Sequence, residues 1–476
     1  MTHHEFDPAS PPGAAETKAR ESGSGAHPRR WPILGLLGLG QLMLILDVTV
    51  VALALPHIGE DLGLGREALT WTVAAYTLTF GGLMLLGGRI ADLVGAKPVV
   101  LAGLMIFSLA SLSAGAGDSA FTLLGGRIGQ GVGAALLSPA ALSLVVTLFA
   151  GEERNKALGV WSALGGAGAA IGVLLGGVLT AGPGWPWVFY VNVPIGLIVA
   201  GVLAFWLPTT TTPGPRPRLD ILGAVLVTAS SASLIYALVG AGHRGWADAV
   251  TAGLVGAAAL GYVAFVAWQR RTVAPLMDVR LLIRRPVAIG TFLILMATAL
   301  MIAVFFLGTF YFQHHLGYSA LRAGLLFLPV AVATMAGATL TGRVLAGAGP
   351  VRLAVIGLAV AATGLLIPAV WLYPVPVVLG VALAGAGTGA LFVVASATAL
   401  GQVAAHESGI ASGIVSTFHE FGASLGAAVT SSVAAASLTG TLTTGYTRGF
   451  AAAAGAAAIA AVAVTAVALR RGGTAD

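Results

Sequence analysis

Long apolar stretches recur along almost the whole chain, and they restrict its fold more than any other feature of the sequence. Each lasts about twenty residues, which is the length that an α-helix needs to cross a bilayer. Only 9% of the 476 residues are charged and 57% are hydrophobic, whereas soluble domains carry about 25% charged residues. Transmembrane β-strands would instead alternate over about ten residues. The sequence therefore predicts an all-α polytopic membrane protein.

Charged or Pro/Gly-rich breaks divide the apolar residues into fourteen predicted transmembrane helices. The stretches at 120–148 and 375–400 are long, so those helices are expected to tilt or to extend beyond the bilayer. The fourteen predicted spans are 33–55, 70–88, 98–117, 120–148, 157–181, 187–207, 221–240, 250–268, 287–312, 324–346, 351–371, 375–400, 409–435 and 450–469.

The lysines and arginines give these helices an orientation. If the N-terminus is cytoplasmic, 19 of the 24 basic residues lie in cytoplasmic tails and loops, four lie in outer loops and Arg127 lies within a span. Such an excess on one side marks the cytoplasmic face. The basic residues are dispersed over separate loops, so the net charge of +6 does not indicate a nucleic-acid partner. We predict a multi-pass protein of the cytoplasmic (inner) membrane with both termini in the cytoplasm.

The sequence contains an internal repeat. GRIADLVGAKPVVLAGL at 88–104 and GRVLAGAGPVRLAVIGL at 342–358 align glycine to glycine, without a gap, at an offset of 254 residues, and the same offset relates glycines in three further regions. It spans eight predicted helices, an even number, so both copies have the same orientation, as in transporters built from parallel repeats. We predict two six-helix pseudo-symmetric halves plus two inserted central helices.

This repeat sets the expected domain organisation. Spans 7 and 8 have no partner in the repeat and follow the linker PTTTTPGPRPR at 208–218. The polar first residues are expected to be disordered, and no cleaved signal peptide is expected because the first apolar run is too long and begins too late. The predicted divisions are a disordered cytoplasmic tail at 1–31, a first half at 32–207, a linker, extra helices and cytoplasmic connection at 208–286, a second half at 287–469 and a cytoplasmic tail at 470–476.

Ionisable and polar side chains occupy positions at which the two copies differ. The positions that the copies share are mostly glycine or apolar, which suits a structural frame. We interpret the unshared positions as functional. Asp47, Asp92, Arg127 and Gln130 align with Met301, Ala346, Val381 and Ala384, and His419 and Glu420 align with Gly165 and Gly166.

Two opposite charges lie at similar depth within predicted spans. Asp47 interrupts the apolar run LILDVTVVALALP at 44–56, roughly 12 Å from the outer end of span 1, and Arg127 lies roughly 10 Å from the outer end of span 4. A charge at the bilayer centre costs about 2.5–3.5 kcal/mol, so such residues normally face a partner or a cavity. We predict that the two meet. The contact is either a structural ion pair or a proton-coupling site, because the proton affinity of a carboxylate changes when a neighbouring cation moves.

Glu420 lies roughly 16 Å into span 13, deeper than any other glutamate. We predict that it contributes to the substrate cavity, as a contact for a cation or as a second proton site. His419 precedes it, but consecutive helical residues do not face each other. His419 is either a polar residue at a helix–helix contact or a cavity residue. The candidate cavity residues are Gln41, Gln130 and His419.

Gly168, Gly172 and Gly176 recur every four residues on one face of span 5. Such a stripe of small residues lets a neighbouring helix approach closely. Tight packing alone accounts for the stripe. The alternative is a sealed interface that slides or opens during transport.

Four motifs resemble the major facilitator superfamily, specifically its fourteen-span drug:proton antiporter branch, and the resemblance covers nearly the whole chain. GRIADLVGAK at 88–97 resembles the signature of the loop between spans 2 and 3, and LLGGRIGQGVGAA at 123–135 is similar to the span-4 motif with its intramembrane arginine. LDVTVVALALP at 46–56 and FYVNVPIGL at 189–197 also resemble motifs of this branch.

Several positions depart from the family's pattern. The span-5 antiporter signature usually has a proline before its last pair of glycines, whereas GVLLGG at 172–177 has Val173 there. Proline disturbs the backbone hydrogen bonds of a helix, so the kink of this span is not expected. Basic residues that are common in the family are replaced by Leu93, Ala96 and Pro186.

The resemblance implies a multidrug efflux transporter. Two helical halves would rock, driven by the proton gradient and without a cofactor, and would export small amphiphilic compounds. Asp92, between Arg89 and Lys97, would form a switchable ion-pair latch or simply anchor its loop. The charge pattern and the resemblance together give these candidate residues: Asp47, Arg127 and Glu420 for proton coupling, Gly88, Arg89, Asp92, Gly95 and Lys97 for the gating loop, and Gly168, Gly172, Gly176 and Gly177 for the helix-packing antiporter motif.

Other classes of protein fit the sequence less well. None of the three lysines follows a glycine in a phosphate-loop pattern, which argues against an ATP-driven pump. His419 and Glu420 lack a second histidine at metal spacing, so neither a metal site nor an enzyme is expected, and nothing indicates the selectivity ring of a channel. Proton-coupled uptake by the same fold stays open, because sequence patterns do not reveal the direction of transport. The expected partners are small amphiphilic substrates, protons and the lipid bilayer, with no obligatory protein partner.

Overall fold

Helices account for nearly all the residues that the structure describes. The structure, a computed structural model, describes residues 28–149, 151–207, 219–400, 408–438 and 443–469. The helices are α1 (Arg30–Leu62), α2 (Arg66–Val94), α3 (Ala96–Gly115), α4 (Ala120–Leu148), α5 (Gly151–Ala181), α6 (Trp187–Tyr190), α7 (Asn192–Trp206), α8 (Ile221–Arg244), α9 (Ala249–Gln269), α10 (Val279–Ile283), α11 (Arg285–Thr309) with a π-helical end (Phe310–His315), α12 (Ala320–Ala348), α13 (Pro350–Val370), α14 (Pro374–Leu400), α15 (Ser408–Val433), α16 (Ala435–Leu438) and α17 (Thr444–Leu469).

Twelve of these helical segments are long and apolar enough to cross a membrane, judged over the described residues. Each of the twelve coincides with one of the predicted spans. At the two other predicted positions, spans 5 and 13, the structure has the long helices α5 and α15, which are not among the twelve. The all-α membrane fold is therefore confirmed, and the count of fourteen spans stays a prediction.

The first helix continues beyond its predicted end. Span 1 was expected to end at residue 55, but α1 continues through Pro56 to Leu62 and is followed by Gly63 in the left-handed conformation, with a φ of 60°. Membrane helices tolerate proline where neighbouring groups satisfy the freed backbone carbonyl. Asp47 thus lies fifteen residues from the end of α1, roughly 22 Å by the helical rise, and not roughly 12 Å.

Glycine contacts between helices recur at the offset of 254 residues. Gly103 of α3 and Gly133 of α4 lie so close that a Cβ atom on either would come within 2.8 Å of the other's carbonyl oxygen. Gly357 of α13 and Gly387 of α14 make the equivalent contact, at 3.2 and 2.5 Å. Small residues permit such close crossings. These contacts support the repeat, and the pseudo-symmetry of the complete halves stays a prediction.

The turns between helices recur at the same offset. Gly95 joins α2 to α3 with a φ of 95°, and Gly349 joins α12 to α13 with a φ of 78°. Side chains other than glycine rarely adopt such angles. The second copy keeps this turn although Ala346 replaces Asp92. Gly95, predicted as a gating residue, therefore has a structural role that does not depend on gating.

The two predicted halves meet along α2 and α15, and along α5 and α12. Thr77 Oγ1 of α2 and Ser424 Oγ of α15 are hydrogen-bonded at 2.6 Å. Arg66 Nη1 donates to Ser431 Oγ of α15 at 3.1 Å and to the Val239 carbonyl of α8 at 3.3 Å. The inserted helix α8 packs against both α2 and α15, and α9 packs against α8. The inserted pair therefore lies beside the contact between the halves.

Candidate functional site

Helices of the first half bring a buried ion pair together. Arg127 Nη1 on α4 donates to Asp47 Oδ2 on α1, and the two side chains are 1% and 0% exposed. The contact predicted from the sequence is therefore present. Arg127 Nε also donates to the carbonyl oxygen of Thr72 on α2 at 2.7 Å, so α1, α2 and α4 together hold the guanidinium.

Gln130 completes this network one turn further along α4. Its Oε1 accepts from Arg127 Nη1, and its Nε2 donates to Asp47 Oδ1 and to Ser111 Oγ of α3, all at 2.8 Å. Both carboxylate oxygens of Asp47 thus have a donor. Gln130 is fully buried, and its place in the substrate cavity stays a prediction. We refer to Asp47, Arg127 and Gln130 as the Asp47 network.

Aromatic rings cover the guanidinium. Arg127 Cζ lies 4.4 Å from the ring centre of Tyr76 and 5.9 Å from that of Phe189, within the range of cation–π attraction. Tyr76 lies one turn after Thr72 on α2 and donates its hydroxyl to the Leu44 carbonyl at 3.2 Å. Sequence reasoning missed both rings, because an aromatic residue in an apolar span is most often only a packing residue.

A network this deeply buried has a specific energetic property. Desolvation of two charges offsets most of their attraction, so the pair adds little stability. Removal of one partner leaves an unpaired buried charge and costs about 3–5 kcal/mol. Any motion that separates Arg127 from Asp47 must therefore give the carboxylate another partner.

A small cavity is lined in part by Asp47. It has a volume of about 30 Å³ and lies between α1, α5 and the segment that contains α6 and α7, whereas one water molecule needs about 10–15 Å³. Asn192, the first residue of α7, also lines it. This residue is 4% exposed, and its Nδ2 has no hydrogen-bond partner in the described part of the chain. Asn192 belongs to the motif FYVNVPIGL at 189–197, from which no role for this residue was predicted.

Glu420 lies where α15 crosses α2. A Cβ atom on Gly81 of α2 would lie 2.7 Å from the Glu420 Cβ, and the residue is 8% exposed. Among the described residues, its carboxylate forms no ion pair. Tyr76, whose ring covers Arg127, lies on the same helix as Gly81, five residues before it. Glu420 is therefore near the Asp47 network, but it belongs to the contact between the halves.

The other predicted cavity residues have different surroundings. His419 Nδ1 is hydrogen-bonded to Thr298 Oγ1 of α11 at 3.0 Å, and its ring lies 5.7 Å from that of Phe392 on α14. This is the helix–helix contact that the sequence left open as the alternative for His419. Gln41 on α1 is half-buried, and its Oε1 has no hydrogen-bond partner within the described ranges.

The gating loop does not form the ion pairs that the sequence suggested for Asp92. Asp92 is exposed and takes part in no salt bridge between described residues. Arg89 Nη2 donates instead to the carbonyl of Pro275 at 3.4 Å, and Lys97 Nζ donates to the carbonyl of the residue that follows α7 at 2.6 Å. Gly88 makes an ordinary contact with Pro139, 3.6 Å from an added Cβ. In this structure the basic residues anchor the loop to neighbouring backbone.

The glycine stripe of α5 packs against α1, the helix that carries Asp47. It lies inside the first half and not at the contact between the halves. Gly177 alone faces α12, where an added Cβ would lie 3.0 Å from the Ala320 carbonyl oxygen. Added Cβ atoms at Gly168, Gly172 and Gly176 would come within 3.0 Å of Ile45, Thr49 and Val50, respectively.

Comparison with known proteins identifies the family. The sequence profile of the Major Facilitator Superfamily matches residues 37–427. The chain belongs to the major facilitator superfamily. It is 37% identical to the puromycin resistance protein pur8 of Streptomyces alboniger over 415 residues, which cover 84% of this chain and 81% of that protein. It is 31% identical to the tetracenomycin C resistance and export protein of Streptomyces glaucescens over 430 residues, which cover 87% and 77%.

Solved structures show the same fold for this superfamily member. The crystal structure of the peptide transporter POT in complex with sulfate aligns with a TM-score of 0.66 and 17% identity, over 94% of this chain and 96% of that one. The superfamily assignment and the twelve apolar helices make the protein a multi-pass membrane transporter and not an enzyme. The described residues contain no group of three or more His, Cys, Asp or Glu side chains that could hold a metal ion.

Proposed function

We propose that this superfamily member is a proton-coupled antiporter that exports small amphiphilic compounds, drugs and antibiotics among them, across the cytoplasmic membrane by alternating access. The Asp47 network is the observation that carries the proposal. It places a buried carboxylate between two donors, Arg127 and Gln130, inside an apolar helix bundle. The resistance and export named for the two Streptomyces relatives support drugs as substrates.

The proposed cycle begins when a proton binds to Asp47. Protonation removes the charge that holds Arg127 against α1, so α1 and α4 can shift relative to each other. Because Arg127 is also bonded to α2, the shift reaches the contact between α2 and α15, where Glu420 lies. Release of the proton on the other side restores the ion pair. The proton gradient supplies the energy, and no cofactor takes part.

The remaining roles follow from the same scheme. The two six-helix halves rock about the contact between α2 and α15, and both termini lie in the cytoplasm. Glu420 provides a contact for cationic substrates or a second proton site. Close packing of the α5 glycine stripe on α1 keeps the turn around Asp47 sealed from the bilayer.

Asp47→Asn tests the proposal directly. Asparagine keeps the size and the acceptor oxygen of the side chain but cannot take up a proton from water. In proteoliposomes with an imposed pH difference, we expect the variant to lose pH-driven transport of puromycin while it still exchanges labelled puromycin at equal concentration on both sides. The variant Glu60→Gln, at an exposed carboxylate outside the Asp47 network and the gating loop, is compared at equal protein density and shows whether loss of any carboxylate has the same effect.

Two results would contradict the proposal. Retained pH-driven transport in Asp47→Asn would remove Asp47 from the coupling. Wild-type accumulation of substrate on the side towards which the protons move would show cotransport in the direction of the protons, which is uptake by the same fold.

A further inference from the structure

A larger cavity lies apart from the Asp47 network, between the inserted helices and the second half. It has a volume of about 200 Å³ and is bounded by α8 and α9 on one side and by α11 and α15 on the other. Phe265 and Val266 of α9, Leu295 of α11, and Phe418 and Phe421 of α15 form much of its apolar wall. The cavity therefore suits an occupant with a compact apolar body.

Hydroxyl groups interrupt this apolar wall. Ser231 and Tyr262 both line the cavity and are hydrogen-bonded to each other at 2.8 Å. Thr417 also lines it and is 2% exposed, and its Oγ1 has no hydrogen-bond partner in the described part of the chain. Thr77 and Thr298 donate to the carbonyl of the preceding turn, as is usual in helices. A buried hydroxyl without a partner is unfavourable, and an occupant with an acceptor oxygen would satisfy it.

The cavity lies one helix away from the contact between the halves. Phe418 faces the cavity, whereas Glu420, on the same turn of α15, contacts Gly81 of α2. On the opposite side, α9 forms the wall towards the bilayer, where its Leu260 and Val263 are 72% and 65% exposed. A molecule dissolved in the bilayer thus has to cross only the inserted pair to reach α15.

We propose that this cavity binds an amphiphile that arrives from the bilayer, with its apolar body inside the cavity and a carbonyl, ether or hydroxyl oxygen at Thr417. The inference rests on the proposed function, because the occupant is the exported compound before it reaches the contact between the halves. Thr417 lies nine residues from the start of α15, roughly 13 Å by the helical rise. A phospholipid keeps its polar groups at the membrane surface, so its chain would leave this hydroxyl unsatisfied. The inserted helices α8 and α9 then form one side of a binding site.

A matched pair of substitutions on α9 tests the site. Val266→Trp fills the cavity, whereas Val263→Trp puts the same ring on the lipid-exposed face of the same helix. The probe is prodan, a compact naphthalene ketone whose emission depends on polarity and on hydrogen bonds to its carbonyl. We expect prodan to bind about tenfold more weakly to Val266→Trp in nanodiscs, and Val263→Trp to bind it as the wild type does.

Thr417→Val keeps the test independent of overpacking, because valine and threonine have nearly the same shape. We expect about fivefold weaker prodan binding and loss of the red-shifted emission of the hydrogen-bonded ketone, with recovery in Thr417→Ser. Equal affinity in Val266→Trp and wild type would overturn the proposal. A phospholipid that co-purifies with the wild type but not with Val266→Trp, while prodan binding is unchanged, would overturn it in favour of a lipid site.

Binding is measured without a pH difference, so the result does not depend on proton coupling. If Asp47→Asn kept pH-driven transport, the proposed coupling would fail, and the response of prodan binding to Val266→Trp would still decide whether the cavity binds an amphiphile.

Discussion

The two predicted halves of the chain differ chemically at positions that the repeat aligns. In the first half the helices close around a buried charged network. In the second half the aligned positions belong to one apolar cluster and are equally well buried. Asp47, Arg127 and Gln130 align with Met301, Val381 and Ala384, which are 9%, 0% and 0% exposed.

This difference indicates that the packing of the helices does not depend on the buried charges. The glycine crossings between α3 and α4 recur between α13 and α14, so these helices pack closely whether or not a charged network lies beside them. A well-packed apolar contact is usually as stable as a buried ion pair, or more stable. The frame therefore does not require Asp47 and Arg127, which favours a role in transport.

Arg127→Ala should destabilise the protein more than the aligned substitution Val381→Ala in the second half, and this is the largest effect expected. We expect it to lower the free energy of unfolding by about 3–5 kcal/mol, because it leaves the Asp47 carboxylate buried without its cation. The aligned change Val381→Ala removes only apolar contacts and should cost on the order of 2 kcal/mol. Unfolding in mixed detergent micelles, followed by tryptophan fluorescence, compares the two. Equal losses would mean that the ion pair contributes packing alone.

Replacing the Asp47 network with the apolar residues that align with it in the second half tests whether the helices need the charges in order to pack. The triple variant Asp47→Met, Arg127→Val, Gln130→Ala should fold with a stability within about 1–2 kcal/mol of the wild type, because apolar residues replace a buried ion pair. It should have no pH-driven transport. Unfolding measurements and proteoliposome flux are made on the same preparation. An unfolded triple variant would make the network structural, and an active one would exclude it from coupling.

Glu420→Gln should have a narrower effect, because Glu420 has no ion-pair partner among the described residues and lies at the contact between the halves. Loss of its charge should reduce the export of the cation ethidium about tenfold, equivalent to about 1.4 kcal/mol, and leave a neutral substrate nearly unchanged. Export from everted membrane vesicles measures both, with Glu60→Gln as the control for an exposed carboxylate. A similar loss for both substrates would remove Glu420 from substrate recognition.

Much of the fold could be predicted because length and composition decide which segments can cross a membrane. Twelve apolar stretches correspond to candidate spans, and the glycine offset relates Gly103 and Gly357, which both lie at close helix crossings. The end of α1 could not be predicted, because Pro56 stops a helix only where its neighbours leave the backbone unsatisfied. One such neighbour, Gln313, donates its Nε2 to the Leu53 carbonyl at 2.9 Å and is 260 residues distant in sequence.

The site was only partly predictable, for a related reason. Two opposite charges in apolar spans require partners, so the contact of Asp47 with Arg127 followed from the sequence. The partner of Arg89 is a backbone carbonyl at Pro275, and a carbonyl that accepts a side chain leaves no mark in the sequence. The sequence contains only weak evidence for a role of Asn192. An amide at the start of an apolar helix needs a polar partner if it is buried.

Asn192→Leu should give the smallest effect of these changes, and it tests the cavity beside Asp47. The cavity has room for a water molecule, Asn192 and Asp47 both line it, and Asn192 Nδ2 has no hydrogen-bond partner in the described part of the chain. A water bound there needs such polar partners. We expect the leucine variant to fold normally and to take up protons about fivefold more slowly in a pH-jump experiment with a pH-sensitive dye, in line with the loss of one hydrogen bond. Asn192→Ser, which keeps a polar group, should recover most of the rate. An unchanged rate in the leucine variant would show that protons reach Asp47 by another route, and the charged half would then differ from the apolar half in its ion pair alone.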